Sequence, residues 1–141
     1  MRIIKFEEKY RDDMIYMVLS AKNALGRIPK LNEDLLDIKT NFFDRGQPFW
    51  IALDEFDRVI GCIGTRIDDD GKIFLSRLYV KFDFKRHGIG SKLLELAEQS
   101  ARERGFKEIN VHLGKEYLES QKFYTKHGYI EYKELYMKKK L

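Results

Sequence analysis

The apolar positions of this chain change rhythm along its length, and the changes mark its elements. Residues 2–6, RIIKF, read as a short strand. Over residues 9–25, Met14, Ile15, Val18 and Leu19 fall at helical spacing, and GRIP at 26–29 breaks the pattern. A second helix is predicted to open at Asn32, a good cap, and to bury Leu35, Leu36, Ile38, Phe42 and Phe43. After RGQP the texture becomes strand-like. FWIALD (49–54), VIGCIGTRI (59–67) and KIFLSRLYV (72–80), joined by short polar links, predict an antiparallel meander. Ile89, Leu93, Leu94, Leu96, Ala97 and Ala101 then mark a helix stopped at Arg104-Gly105. KEINVHL (107–113) follows as a strand, residues 117–126 as a helix stopped at Gly128, and YIEY and ELYMKKKL as two closing strands.

The resulting order, β-α-α-β-β-β-α-β-α-β-β, predicts an α+β fold in one domain over residues 1–141, without repeat or linker. Its sheet should be mixed and mostly antiparallel. The strand at 72–80, the helix after Gly88 and the strand from 107 form a βαβ unit, whose two strands should be parallel. Ligands of such units favour the carboxyl end of the strand and the amino end of the helix. FKRHGIGSKLLELA, at 84–97, occupies that place.

Composition narrows the picture little. A hydrophobic share of 43% with 13% aromatics suits a folded core, and the net charge of +4 is only mildly basic. The chain shows no nucleic-acid-binding motif and no apolar run near the roughly 20 residues of a membrane span, and its first residues are too charged for a signal peptide. Lone Cys62, in an apolar strand, is expected to be a buried, inert thiol; with no Cys/His cluster, no metal site is expected, and a reducing cytoplasmic setting is. Asp68-Asp69-Asp70-Gly71 lacks the ligand alternation and closing Glu of a calcium loop and reads as a plain turn.

The candidate chemistry lies in the glycine turn. A helix N-terminus presents backbone N–H groups without partners and about half a positive charge. Glycines at 88 and 90 let an anion approach those groups, Lys85 and Arg86 add charge, and Ser91 adds a hydroxyl. The turn suits a phosphate or pyrophosphate; taken alone, the same residues also read as a plain tight turn with Lys and Arg for solubility. It is not a P-loop, which needs Gly-Lys-Ser/Thr, nor the dinucleotide fingerprint, whose third glycine is Leu93 here.

LYVKFDFKRHGIGSKLLELA with FYTKHGY resembles the GNAT superfamily of acyl-CoA N-acyltransferases, and the element order matches that family over nearly the whole chain. The resemblance implies a three-layer fold and acetyl-CoA as co-substrate. The acyl-CoA motif Arg/Gln-x-x-Gly-x-Gly/Ala reads Lys85-Arg86-His87-Gly88-Ile89-Gly90 here, with Lys in place of Arg or Gln. By resemblance, Leu78, Tyr79 and Val80 would run beside the pantetheine arm, where the parallel strands splay, and the Val80 N–H would face the oxyanion. A second signature, Asn-x-x-Ala-x-x-Phe-Tyr, reads Tyr117 to Tyr124, with Tyr117 for Asn and Ser120 for Ala. It implies Tyr117 beside the cofactor and Tyr124 as general acid.

The base stays unassigned: His112 and Glu119 are candidates, directly or through water, and an amine could also arrive deprotonated from solvent. The acceptor side would involve residues 23–31 and the region of Tyr132. Relatives that acetylate protein N-termini tend to carry Glu and Arg where Asn110 and His112 stand, so a small amine, amino acid or antibiotic is the expected acceptor rather than a protein N-terminus. Neither nucleic acid nor membrane is expected as a partner, whereas edge strands could support a homodimer. A non-catalytic acyl-CoA-binding module on the same fold is the alternative.

Overall fold

A seven-stranded mixed sheet in the order β1-β2-β3-β4-β5-β7-β6 forms the middle layer. The computed structural model describes residues 1–114 and 118–141. The strands are β1 (Arg2–Lys5), β2 (Phe49–Leu53), β3 (Val59–Ile67), β4 (Ile73–Val80), β5 (Glu108–His112), β6 (Ile130–Lys133) and β7 (Tyr136–Lys140). The helices are α1 (Arg11–Ala24), α2 (Ile38–Asn41), α3 (Ile89–Glu103) and α4 (Leu118–Lys126). β1 to β4 pair antiparallel in sequence order, β4 and β5 pair parallel across α3, and β7 pairs antiparallel with β5 and β6. The α+β class, the meander and the βαβ unit stand as the sequence implies.

Alternation along the strands feeds two cores. Ile51, Leu53 and Cys62 pack with α1 residues Met14, Met17 and Val18, while Ala52, Ile63, Ile73 and Leu75 pack with α3 residues Ile89, Leu93, Leu94 and Ala97. Tyr124 of α4 belongs to the second core. The Asp68–Gly71 link is a turn closed by Asp68, whose Oδ1 accepts from the N–H groups of Asp70 and Lys72.

Two expectations need correction. The predicted second helix is broken into a 3₁₀ turn (Glu33–Leu36), the short α2 and another 3₁₀ turn (Phe43–Arg45), with Leu36 and Phe43 exposed. Asp37 interrupts the run with non-helical backbone, and its carboxylate caps α2 by accepting from Thr40 N–H. Asn32 makes no cap bond. On α1 the buried stripe is Met14, Met17, Val18, Ala21 and Lys22 rather than one through Ile15 and Leu19, which stay partly exposed. Steps of three and four from Met14 give this stripe, and it runs straight into a lysine.

Two polar clamps, one partly buried and one buried, fasten α3 and the residue that caps its end. Near its end, Arg104 donates to Gln47 Oε1 (3.0 Å) and Thr65 Oγ1 (3.2 Å). In its middle, Glu98, only 4% exposed, accepts from the Tyr129 hydroxyl (2.7 Å) and from Lys139 Nζ (3.1 Å). Burying these groups is tolerable because each charge has a hydrogen-bonded partner.

Candidate functional site

The site is made by a fault in the sheet. Among the described residues β4 and β5 share one ladder pair, Phe74↔Asn110, and beyond it the two parallel strands diverge. At the same level β4 carries a bulge: Arg77 and Leu78 stand opposite Ile63 alone, between the pairs Gly64↔Ser76 and Cys62↔Tyr79. Arg77 adopts φ +58°, a conformation rare for a side chain of its size. Its Nε donates to both Asp34 oxygens at 3.1 Å, and its carbonyl accepts from Cys62 Sγ at 3.2 Å. The extra residue resets the alternation, so Leu78 and Val80 face the α3 side together with Ile73 and Leu75, while Tyr79 faces α1. Lys81 N–H donates back to Ile60 O on β3. The Val80 N–H, one residue earlier, is therefore turned to the opposite edge, where β5 has departed.

A cleft of about 550 Å³ opens along that edge, bounded by Leu78 to Val80, the turn before α3, and α4. Gly88 caps α3 at φ +76°, and Arg86 precedes it at φ +70°. The helical ladder begins with Lys92 N–H on Gly88 O, so the amides of Ile89, Gly90 and Ser91 have no acceptor within the helix. Gly88 is required by its backbone angle. Gly90 is not required by packing, since a Cβ there would meet Phe123 and Val80 at ordinary distances of 3.5 and 3.6 Å. Keeping glycine at 90 leaves room on the cleft side of the turn. Lys85, Arg86 and Lys126 line the same cleft, and Ser91 Oγ lies 2.9 Å from His127 Nε2, whose Nδ1 lies 2.8 Å from Phe123 O.

A second, more polar cleft of about 340 Å³ lies between the diverging ends of β4 and β5. Tyr124, Tyr79, Leu78, Ser120 and Lys22 line both clefts and so form the neck between them. Tyr124 is 5% exposed, with its ring edge-on to Phe123 and Tyr129 at 5.2 and 5.3 Å, and its hydroxyl has no hydrogen-bond partner among the described residues. Burial raises its phenol well above the ordinary range, which keeps the proton on.

Lys22 escaped the sequence reading. It is 7% exposed, donates to Lys30 O (2.6 Å) and Asn32 Oδ1 (3.1 Å), and lies 5.6 Å from the Tyr79 ring centre. Asn32 Nδ2 in turn donates to the Tyr79 hydroxyl at 3.0 Å, so the residue expected to cap a helix instead ties α1 to β4. Burial and the nearby Arg77 charge lower the Lys22 pKa, partly opposed by Asp34. A lysine on the i, i+4 ladder from Met14 and Val18 was the available signal.

The remaining predicted residues sort clearly. Leu78, Tyr79, Val80, Lys85, Arg86, Gly88, Ile89, Gly90 and Ser91 all line the first cleft. His87 does not; its exposed ring lies 5.9 Å from that of Phe84. Tyr117 lies outside the described residues. Of the two base candidates, Glu119 sits at the first cleft, where burial would raise its carboxyl but hydrogen bonds from its own backbone and from Arg27 Nη2 (3.0 Å) bring it below the ordinary range. His112 lines the second cleft and stacks on Tyr136 at 4.4 Å. Asn110 is buried at the sheet, donating to Ile73 O, and does not line either cleft. Cys62 is fully buried and its thiol pushed up to about 12 by desolvation, consistent with an inert side chain.

A family model described as the acetyltransferase (GNAT) family matches residues 11–129. The chain is 37% identical over 81 residues to the probable N-acetyltransferase camello of Xenopus laevis, covering 55% of this chain and 36% of that protein. It is 29% identical over 102 residues to human N-acetyltransferase 8, covering 68% and 44%. The match thus spans less than half the length of these relatives. A GNAT-family acetyltransferase structure from Staphylococcus aureus superposes with a TM-score of 0.89 at 24% identity, over 99% of this chain and 98% of that one. The PaiA N-acetyltransferase of Thermoplasma acidophilum, solved in complex with coenzyme A, superposes with a TM-score of 0.77 at 21% identity, over 99% and 98%. At such identities these likenesses establish the fold.

Proposed function

This chain belongs to the acetyltransferase (GNAT) family, and on that premise we propose that it transfers an acetyl group from acetyl-CoA to the amine of a small acceptor. The observation that carries the reading is the neck: one buried, proton-bearing phenol, Tyr124, borders both a cleft suited to acyl-CoA and a second cleft suited to an acceptor. The pyrophosphate would sit on the amides of residues 88–91, with Lys85 and Arg86 beside it. The pantetheine arm would run along the edge of β4 left open by β5, and the thioester would lie at the neck.

The acceptor nitrogen, as a neutral amine, attacks the thioester carbonyl and forms a C–N bond. The oxygen takes up the negative charge within reach of the Val80 N–H. Collapse restores the carbonyl and breaks the C–S bond; the thiolate takes the Tyr124 proton, the nitrogen releases one to water, and Tyr124 is reprotonated from solvent. The products are an N-acetyl amine and coenzyme A thiol. Neither His112 nor Glu119 is assigned as a base. His112 is stacked on Tyr136, and Glu119 is paired with Arg27, so an amine deprotonated by solvent is the simpler course.

The test is calorimetry with acetyl-CoA together with free-thiol release across an amine panel. Binding with acceptor-dependent thiol release supports the reading. Absence of coenzyme A binding overturns it, and tight binding with no thiol release for any amine identifies a non-catalytic acyl-CoA-binding module instead.

A further inference from the structure

The second cleft has a charge pattern that narrows its occupant. Its described lining includes the cations Lys22 and Arg77 together with His112, and no carboxylate among the described residues. The Arg77 charge is answered by Asp34, on which its Nε is fully engaged. Lys22 has no carboxylate in contact: among the described residues none lies within ion-pair distance of it, Asp34 acts on it only from farther off, and its hydrogen-bond partners are a neutral carbonyl and a neutral amide. An ammonium offers three donors, of which these use two. A charge buried to this degree is normally paired with a counter-charge. Here the remaining donor, on a charge with no counter-charge in contact, borders the neck.

We propose that the acceptor is an amine that also carries a carboxylate, such as an α-amino acid, and that its carboxylate pairs with Lys22. The inference rests on the transferase reading above and adds the substrate class. An α-amino acid fits the geometry because its carboxylate and amine share one carbon. Anchoring the first at Lys22, on the neck, brings the second to the neck as well, beside Tyr124. Asn32 and the Lys30 carbonyl hold the Lys22 ammonium on this side, and the Tyr79 ring supports it from below. Among the described residues of the same cleft a polyamine finds no carboxylate to pair with, and there its cationic chain would meet Lys22.

The test compares matched acceptors on the intact protein: phenylalanine, methionine and glutamate, each against its α-amide, with spermidine as the cationic control. Turnover is read by thiol release, and binding to the coenzyme A-loaded protein by calorimetry. Each acid should exceed its amide in kcat/KM or affinity by roughly 10- to 100-fold for at least one pair, the range of one charge-assisted hydrogen bond. Lys22→Met should remove that preference while Lys22→Arg keeps most of it. The proposal is overturned if no acid outperforms its amide, if spermidine is preferred, or if Lys22→Met lowers acid and amide alike. Should Lys22→Met fail to fold, the acid–amide comparison on the unaltered chain still decides. Selective acid binding without thiol release would uphold the anion site and sink the transferase reading, whereas turnover without acid preference would do the reverse.

Discussion

Replacing Tyr124 by Phe separates chemistry from folding with a single oxygen atom. The ring contacts with Phe123 and Tyr129 survive the change, and no protein hydrogen bond is lost, because the hydroxyl makes none among the described residues. Leaving a buried hydroxyl unpaired costs about 1–3 kcal/mol. Tyr124 borders the clefts, so solvent relieves part of that penalty, and the Phe variant should be as stable as the parent or up to about 1 kcal/mol more so. Its Tm should therefore hold or rise by no more than about 3–4 °C. Loss of a positioned general acid should lower kcat by about 10²- to 10⁴-fold. Coenzyme A affinity should stay near that of the parent. Since burial raises the Tyr124 pKa, the parent should also show no alkaline loss of kcat below about pH 10, where an ordinary phenol titrates. Thiol release at saturating acetyl-CoA between pH 6 and about pH 10, with thermal melts of both proteins, covers every term. Parent-like turnover of Tyr124→Phe across that range would refute the acid role, and a sharp drop in Tm would refute the claim that the hydroxyl is unpartnered.

Other expectations follow from the same geometry. Gly90→Val should weaken coenzyme A binding about tenfold or more in calorimetry with little change in Tm, whereas Gly88→Val should cost about 1–2 kcal/mol of stability because its φ is +76°. Glu98→Ala leaves the Lys139 ammonium and the Tyr129 hydroxyl without their partner and should destabilise by about 3–5 kcal/mol, seen as a lower urea midpoint. The Asp13 carboxyl is lowered by the Arg58 guanidinium, against some desolvation, so its stabilising effect is present above the ordinary carboxylate pKa and fades as pH falls through the lower folded value. Asp13→Asn should accordingly lower the urea midpoint at pH 7 and flatten its decline below about pH 4, and an unchanged acid limb would disprove the assignment.

The sequence carried the element order and the glycine turn because both are local. Gly88 and Gly90 sit between a strand and a helix that announce themselves by periodicity, and the phosphate argument needs nothing else. What it could not carry was long-range. The bulge at Arg77 is stabilised by Asp34, which is 43 residues away, and no local pattern marks it. Asn32 looked like a cap because cap and bridge use the same side-chain atoms, and only Lys22 and Tyr79, brought near by folding, decide between them. Lys22 itself was legible in principle. It occupies a core position on the α1 stripe, four residues beyond Val18, where a lysine is out of keeping with the apolar pattern.

The divergence of β4 and β5 has a mechanical consequence. With one ladder pair joining them, β1–β4 and β5–β7 are two halves of the seven-stranded sheet that meet at a thinly bonded seam. α3 rivets the seam from behind: Arg104 is fastened to Gln47 and Thr65 on one side, and Glu98 to Tyr129 and Lys139 on the other. Amides of β5 to β7 should therefore exchange with solvent deuterons as a separate cooperative group, faster than those of β2 and β3. A ligand lying in the second cleft, which Leu78 and Tyr79 of β4 and Val111 and His112 of β5 line, would touch both halves at once. Its arrival should slow exchange on the far side of the seam as well as the near one, making the open strand edge both the entrance for a ligand and the place where it completes the sheet.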